Sequence, residues 1–580
     1  MSDRRGVLTE AFKSGNFLEA LYACSRADRN EREDLALELA ALHNEGLIDV
    51  IAGFKDLRNS SSSGPDFFLT RHIFEKALPH LNAPVSPVMS CVLQLFRDAG
   101  QDIVAGAIIE GFVGFCAKEP SRPREALKEI EADPEAFADM LTAALSAGSR
   151  IDNPKYLAEA IRLSESGNIE LRRRAVYAVG KLSWPDGAIV TDSAFEALER
   201  STATETDDQI FGGIVKSAFA LLQRDKTQEG RAASLIAIAL TKGDDCALHA
   251  ASEIFGLCTS ELPAALCDAV LPQLMRVKPT NKGTLDLIDY GISHLIKTNS
   301  TEPAIQFLED FLLAHPEALT LNTFDSAASE IHGSPPLLNK VLTRWFLRGE
   351  HVLCDGINGI ASAHHGNNIV FDIDPGELRP LDIEHILFVA HKALGYLFFQ
   401  PVSAASVLIS LMRHAHDDET RNELASLLFD PLLLNFPGSA REYVVRQSAL
   451  ESGKVKETID TVLNRIRDYL DVLGSVGTLP ALHPGEAQRE VQHRNFSREM
   501  AESWKSAEAQ SVILNLIPKT VLLYGRKSID YVYGRGGQSQ RMETNLKSHG
   551  TSIEFARMER IDPYGMYDAL RFFKTRRLRA

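Results

Sequence analysis

The sequence predicts a mainly α protein, an α-solenoid of helical-hairpin repeats that ends in a small α+β C-terminal domain. Three observations carry this. Segments 160–182 and 236–258 align under a shift of seventy-six residues, with Gly167 on Gly243, Ala175 on Ala251 and Gly180 on Gly256. A weaker copy, 195–222, lies at about half that shift, so the period of about 38 residues falls among helical-hairpin repeats. After Gly485 the chain turns basic and acquires short alternating segments.

A helical hairpin cannot bury both faces alone, so neighbours must stack. Ala175, Val176, Val179 and Leu182 run at spacings of three and four, an apolar stripe along a second helix. Gly180 and Ala178 admit a close helix neighbour. Gly167-Asn168 and Gly243-Asp244 mark the turn, glycine suiting a left-handed cap and Asn or Asp capping the next helix. The run Arg172-Arg173-Arg174 has two readings, a phosphate site or a ladder of ion pairs between repeats. The stretch from about 152 to 260 resembles HEAT-type and related armadillo-like repeats. That resemblance implies a stack of helix pairs that binds another macromolecule, and it brings no catalytic residues.

The composition, 44% hydrophobic and 24% charged, is that of a folded globular chain. The net charge of −16 disfavours general coating by nucleic acid. The charge is uneven: residues 518–580 hold thirteen Lys and Arg against six Asp and Glu, a net of +7, which leaves −23 for the rest. The seven cysteines show no CxxC spacing and fall mostly in apolar runs, as core residues in a reducing compartment do. No apolar signal region follows the N-terminus. The longest apolar run, 103–116, is broken by Glu110 and is too short for a bilayer. A cytoplasmic location is expected.

In chain order, the expected parts are an N-terminal helical region (1–150), the repeats (151–349), a loop-rich insert (350–382), a further helical region (383–473), a charged bridging helix (486–517) and the basic α+β domain (518–580). The insert is marked by Gly356, Gly359, Gly366, Asn367 and Asn368, with 369–374 as a short strand. The bridging helix has a narrow apolar stripe, Val491, Phe496, Met500 and Trp504. In the C-terminal domain 520–524, 528–533 and 551–557 read as strands, and Asp562-Pro563 opens a final helix. A domain of about 60 residues is marginal by itself and should lean on the solenoid.

Candidate chemistry is sparse. Seven of the seventeen histidines lie between His351 and His416, near Asp372 and Asp374. His385 and His391 are six apart, about 240° around a helix, so the spacing does not make a metal site. Gly534-Arg535-Gly536-Gly537 lacks the lysine-serine ending of a phosphate loop and reads as a hairpin turn. Glu554, Arg557, Glu559 and Asp562 could pair for acid–base work or form surface ion pairs. No catalytic, cofactor or metal residues are assigned, and no cofactor is expected. The contact candidates are Arg526, Lys527, Tyr531, Tyr533, Arg535, Arg541, Arg571, Lys574, Arg576 and Arg577, since basic side chains contact phosphates and aromatics stack bases. Docking of this end on an acidic solenoid, its own or a partner's, is the competing reading.

Two functions follow. One is a non-enzymatic scaffold whose solenoid binds a protein partner and whose basic end docks or touches nucleic acid. The other, by analogy with large helical-repeat proteins, is an effector or accessory subunit of a bacterial multi-protein system, including defence systems, acting on nucleic acid or a nucleotide. No membrane partner is expected.

Overall fold

The computed structural model describes residues 4–27, 32–59, 66–100, 106–184, 191–298, 300–363, 368–379, 382–477, 484–510, 520–523, 527–533, 539–545 and 554–578. The chain forms two compact units, residues 1–334 and 335–580.

The first unit is an α-solenoid. From Asn153 the helices alternate between two layers. The first layer holds Asn153–Ser164, Thr191–Thr204, Glu229–Lys242, Ala264–Leu274 and Thr301–Ala314. Their starts are 38, 38, 35 and 37 residues apart. The second layer holds Ile169–Val179, Asp208–Arg224, Asp245–Leu257, Lys282–Lys297 and Asp325–Gly333. Each second-layer helix packs on the next, so the core is a continuous seam and not a single centre. Ala175, Val176, Val179 and Leu182 are all buried in it.

The glycines of the repeat serve close packing. A Cβ at Gly180 would meet Ser217 Cα at 2.6 Å, and one at Gly256 would fall on the Leu287 carbonyl. The expected left-handed caps do not form: Gly243 has φ −83°, and Gly167 is not among the glycines of positive φ. Asn168 does cap its helix, accepting from Glu170 N at 2.9 Å and Leu171 N at 3.3 Å. Asp244 does not. Its helix start is capped from the preceding repeat, where the Asp208 carboxylate accepts from Asp244 N at 2.6 Å and Cys246 N at 2.7 Å. Asp289 repeats the device on Ser326 N and Ala327 N, both at 2.9 Å. The three arginines are a ladder between elements: Arg172 with Glu205, Arg173 with Asp207 and Arg174 with Asp139, each at 2.6 Å.

The second unit continues with helices Pro335–Arg348, His351–Ala363, Ile383–Leu397, Pro401–His414, Asp418–Leu427, Ser439–Leu450 and Gly453–Ser475. Much of the stretch expected as a loop-rich insert is thus helix. Leu353, Ile357 and Ile360 are buried at helical spacing, and that burial outweighs the weak helix propensity of Gly356 and Gly359. Residues 369–374 are extended but pair with no strand. Ser406 and Ser410 hydroxyls accept from Phe371 N and Ile373 N, both at 2.9 Å, while Asn339 Oδ1 accepts from Asp372 N at 2.9 Å. Side chains of two helices therefore satisfy the backbone that a sheet would otherwise have to pair. In helix Glu486–Gln510, Val491, Phe496, Met500 and Trp504 are exposed.

Beyond it, β1 (Thr520–Leu523), β2 (Lys527–Tyr533) and β3 (Ser539–Asn545) form an antiparallel sheet in the order β1-β2-β3. The third strand is not the expected 551–557. Of that stretch 551–553 lie outside the described residues, and 554–556 carry no strand. Helix Pro563–Thr575 follows, with Asp562 accepting from Gly565 N at 3.0 Å. No described helix is long and apolar enough to cross a membrane.

Candidate anion-binding cleft at the C-terminal helix

Helix Pro563–Thr575 packs on helix Ile383–Leu397 within the second unit. Its docking face is apolar: Met566 and Leu570 are buried, and the Phe573 ring stacks on His391 with centroids 5.0 Å apart. Contact is close at Gly395, where a Cβ would meet Lys574 N at 3.0 Å. Lys392, only 2% exposed, donates to the Lys574 carbonyl at 2.5 Å. A cation thus meets an orphan carbonyl of the last helical turn. Arg576 donates to His391 Nδ1 at 2.6 Å.

The segment before the helix is held separately. Glu554 accepts from Gly438 N, Ser439 N and the Ser439 hydroxyl, all at 2.7 Å. A carboxylate there satisfies the start of helix Ser439–Leu450 and its positive dipole end. Met558 N donates to Asn435 Oδ1 at 2.9 Å. Residues 554–578 thus form a strap anchored at both ends. Glu554 and Asp562 are committed to helix caps, so the acidic–basic cluster around them does not form a carboxylate pair for acid–base work.

Beside the docked helix lies a cleft of about 900 Å³. Six cationic side chains line it, Arg348, Lys392, Arg571, Lys574, Arg576 and Arg577, against the one carboxylate of Glu350. Its aromatic residues include Phe388, Tyr396, Phe399 and Tyr567. The Tyr396 hydroxyl lies 2.9 Å from His351 Nδ1, and Lys574 Nζ sits 5.1 Å from the centre of the Tyr396 ring. Burial pushes the Tyr396 hydroxyl pKa up and the Lys392 ammonium pKa down. Burial first, and then the Arg576 charge, bring His391 down from 6.5 to about 4.

Of the sequence candidates, Arg571, Lys574, Arg576 and Arg577 come together here. Lys527, Tyr531 and Arg541 lie on the sheet, where Tyr531 stands opposite Arg541 in the β2–β3 register and Arg541 is ion-paired with Glu543 at 2.6 Å. Tyr533 pairs with Ser539 through the strand backbone. Arg526 and Arg535 lie outside the described residues. Sequence reasoning passed over Arg348, Lys392, Tyr396 and Phe399. A signal existed for Lys392: with His391 it interrupts the otherwise apolar run 386–399, and the structure buries both.

The histidine-dense stretch does not converge. His385 pairs with Asp382 at 2.8 Å, His351 with Tyr396 and His391 with Arg576, while Asp372 faces Arg413 at 3.3 Å. His364 and His365 lie outside the described residues. Among the described residues no three His, Cys, Asp or Glu side chains are grouped to hold a metal ion. Burial pushes the Cys91, Cys116 and Cys354 thiols up to about 12, so they are protonated and inert.

No family model and no curated protein matches the sequence. Among solved structures, the chain is similar at 14% identity to a circular tandem repeat protein with novel repeat topology and enhanced subunit contact surfaces. That match covers 82% of this chain and 90% of the other, and its TM-score of 0.13 is too low to carry any argument about fold or function. The helical-repeat architecture stands on the layered helix pairs of the chain itself.

Proposed function

We propose that this protein is a helical-repeat scaffold, of the HEAT or armadillo kind, that binds a macromolecular partner and holds the phosphate backbone of a nucleic acid in the cleft beside its C-terminal helix. The observation that carries the reading is the lining of that cleft, six cationic side chains to one carboxylate around about 900 Å³. Concave clusters of one sign focus the field and raise the local concentration of an opposite charge. The chain outside 518–580 is acidic, so attraction is centred on this end of the protein and is strongly dependent on salt. The HEAT-like reading is supported by the arginine ladder and the Asn168 cap of the repeats. Tyr531 and Arg541 on the sheet are a weaker, secondary contact in this reading, since Arg541 is already ion-paired with Glu543.

The test is binding of fluorescein-labelled oligonucleotides to the full chain across a salt series. Arg571, Lys574 and Arg577 are exposed. Replacing all three with glutamine should weaken binding of every sequence alike and flatten the salt dependence. Arg576 is left in place because it holds His391. Unchanged affinity in the triple variant, or no binding by the wild type at low salt, removes the reading.

A further inference from the structure

The outer face of the docked helix carries more than charge. Tyr564, Tyr567, Arg571 and Lys574 are spaced three, four and three residues apart, which puts them on one face of helix Pro563–Thr575. The buried residues Met566 and Leu570 project about 100° around the helix from the centre of that row. Tyr564 is 84% exposed and Tyr567 51%, large surfaces for rings on a helix that has a core available to it. Asp568, four residues from Tyr564 and three from Arg571, borders the row as its one carboxylate neighbour on this helix. The row runs for about 15 Å, ten residues at the helical rise. Tyr567, Arg571 and Lys574 all line the cationic cleft, so the row leads into it, and across the cleft Phe399 is a further half-exposed ring.

We propose that this row is a track for single-stranded nucleic acid, with bases stacked on Tyr564 and Tyr567 and the following phosphates held by Arg571, Lys574 and the cleft. The inference rests on the nucleic-acid reading of the cleft and specifies its ligand. Two exposed rings followed along one face by two cations suit a strand whose bases stack at one end and whose phosphates continue into the cleft. A duplex keeps its bases stacked inside and offers the row only phosphates, so its rings would remain uncovered. An acidic protein surface would use the cations and leave the tyrosines without partners.

The test compares the full chain with an oligothymidylate of about 12 nucleotides, within the site sizes of single-strand binders, with a duplex of equal length, and with polyglutamate. The variants are Tyr564→Ala/Tyr567→Ala and Tyr564→Phe/Tyr567→Phe. Both positions are exposed, so the melting temperature should stay that of the wild type. The alanine pair should lose about tenfold or more in affinity for the single strand, with duplex affinity unchanged, while the phenylalanine pair binds as the wild type does. Single-strand binding unaffected by the alanine pair overturns the inference, as does a duplex or polyglutamate bound as tightly as the single strand. Loss of all binding in the arginine and lysine variants, with the tyrosine variants neutral, would retain the cleft and remove only the track.

Discussion

Arg576 donates a guanidinium N–H to Nδ1 of His391 at 2.6 Å, an arrangement that demands a neutral imidazole. The ring is also stacked on Phe573 and mostly buried. Its pKa is therefore held at about 4, below the ordinary 6.5. The sign of the linkage follows. Above pH 6.5 the imidazole is neutral whether or not the C-terminal helix is docked, and docking costs nothing in protons. As the pH falls from 6.5 toward 4 the free ring takes up a proton that the docked ring cannot hold, and docking weakens by up to about 3 kcal/mol. Proteolysis at the C-terminal helix should accelerate across that window in the wild type and be flat in His391→Asn. An NMR titration of His391 with a midpoint near 6.5 would contradict this.

The ladder between repeats gives a second expectation. Arg173 and Asp207 are each about a quarter exposed and joined by two hydrogen bonds, at 2.6 and 3.0 Å. The Arg173 hydrogen bond holds the Asp207 carboxyl below its ordinary value of 3.8. The stabilisation is thus present above pH 3.8 and is lost as the pH falls below it. A double-mutant cycle with Arg173→Ala and Asp207→Ala should return a coupling of about 1 kcal/mol at neutral pH, less at high salt. Zero coupling would reduce the ladder to surface decoration.

The glycines of the seam can be tested directly. Gly180→Leu and Gly256→Leu should each lower the melting temperature of the first unit, at a cost of about 1–3 kcal/mol. The obstacle at Gly180 includes the Ser217 backbone and at Gly256 the Leu287 backbone, neither of which can rotate away. Gly230, with open space around it, is the control. Equal melting temperatures at all three positions would refute the contact.

How far the sequence could be read depended on the range of the physics involved. The repeat was legible because each hairpin satisfies its own periodicity, so the shift that superposes Gly180 on Gly256 survives in the letters. The hairpin strand β2 was legible through its alternation of Ile529, Tyr531 and Tyr533. Strand β3 was not, because in Ser-Gln-Arg-Met-Glu-Thr-Asn only Met542 is apolar and its pairing is imposed by β2. The extended segment 369–374 was misread since serines on a helix, and not a neighbouring strand, complete its backbone. The cleft was the least legible part: Lys392 and Arg576 are 184 positions apart in the numbering, and only the docking of the last helix brings them together. The arginines themselves could be picked from composition; their convergence with Arg348, Lys392 and Phe399 could not.

The strap makes the last prediction. Residues 554–578 are held at one end by Glu554 on Gly438 and Ser439, and at the other by His391, Lys392 and Gly395 under Phe573 and Lys574. Glu554→Ala removes three hydrogen bonds to a helix start, at about 0.5–2 kcal/mol by the usual cost of a lost cap. Phe573→Ala removes the ring stacked on His391, and Gly395→Val puts methyl groups where the Lys574 backbone now lies. If the strap is one cooperative element, loosening either end should raise hydrogen exchange along the whole of 554–578, while the buried helix Pro401–His414 keeps its protection. If the two anchors are independent, exchange will rise only next to the altered anchor. The combination of Glu554→Ala with Phe573→Ala decides between them: a cooperative strap gives a loss close to the sum of the two singles, whereas independent ends leave each anchor's exchange as in its own single variant. Since Arg571, Lys574, Arg576 and Arg577 reach the cleft only through this strap, oligonucleotide affinity in the double variant should fall in step with the exchange, and affinity that stays at the wild-type level would separate the cleft from the docking.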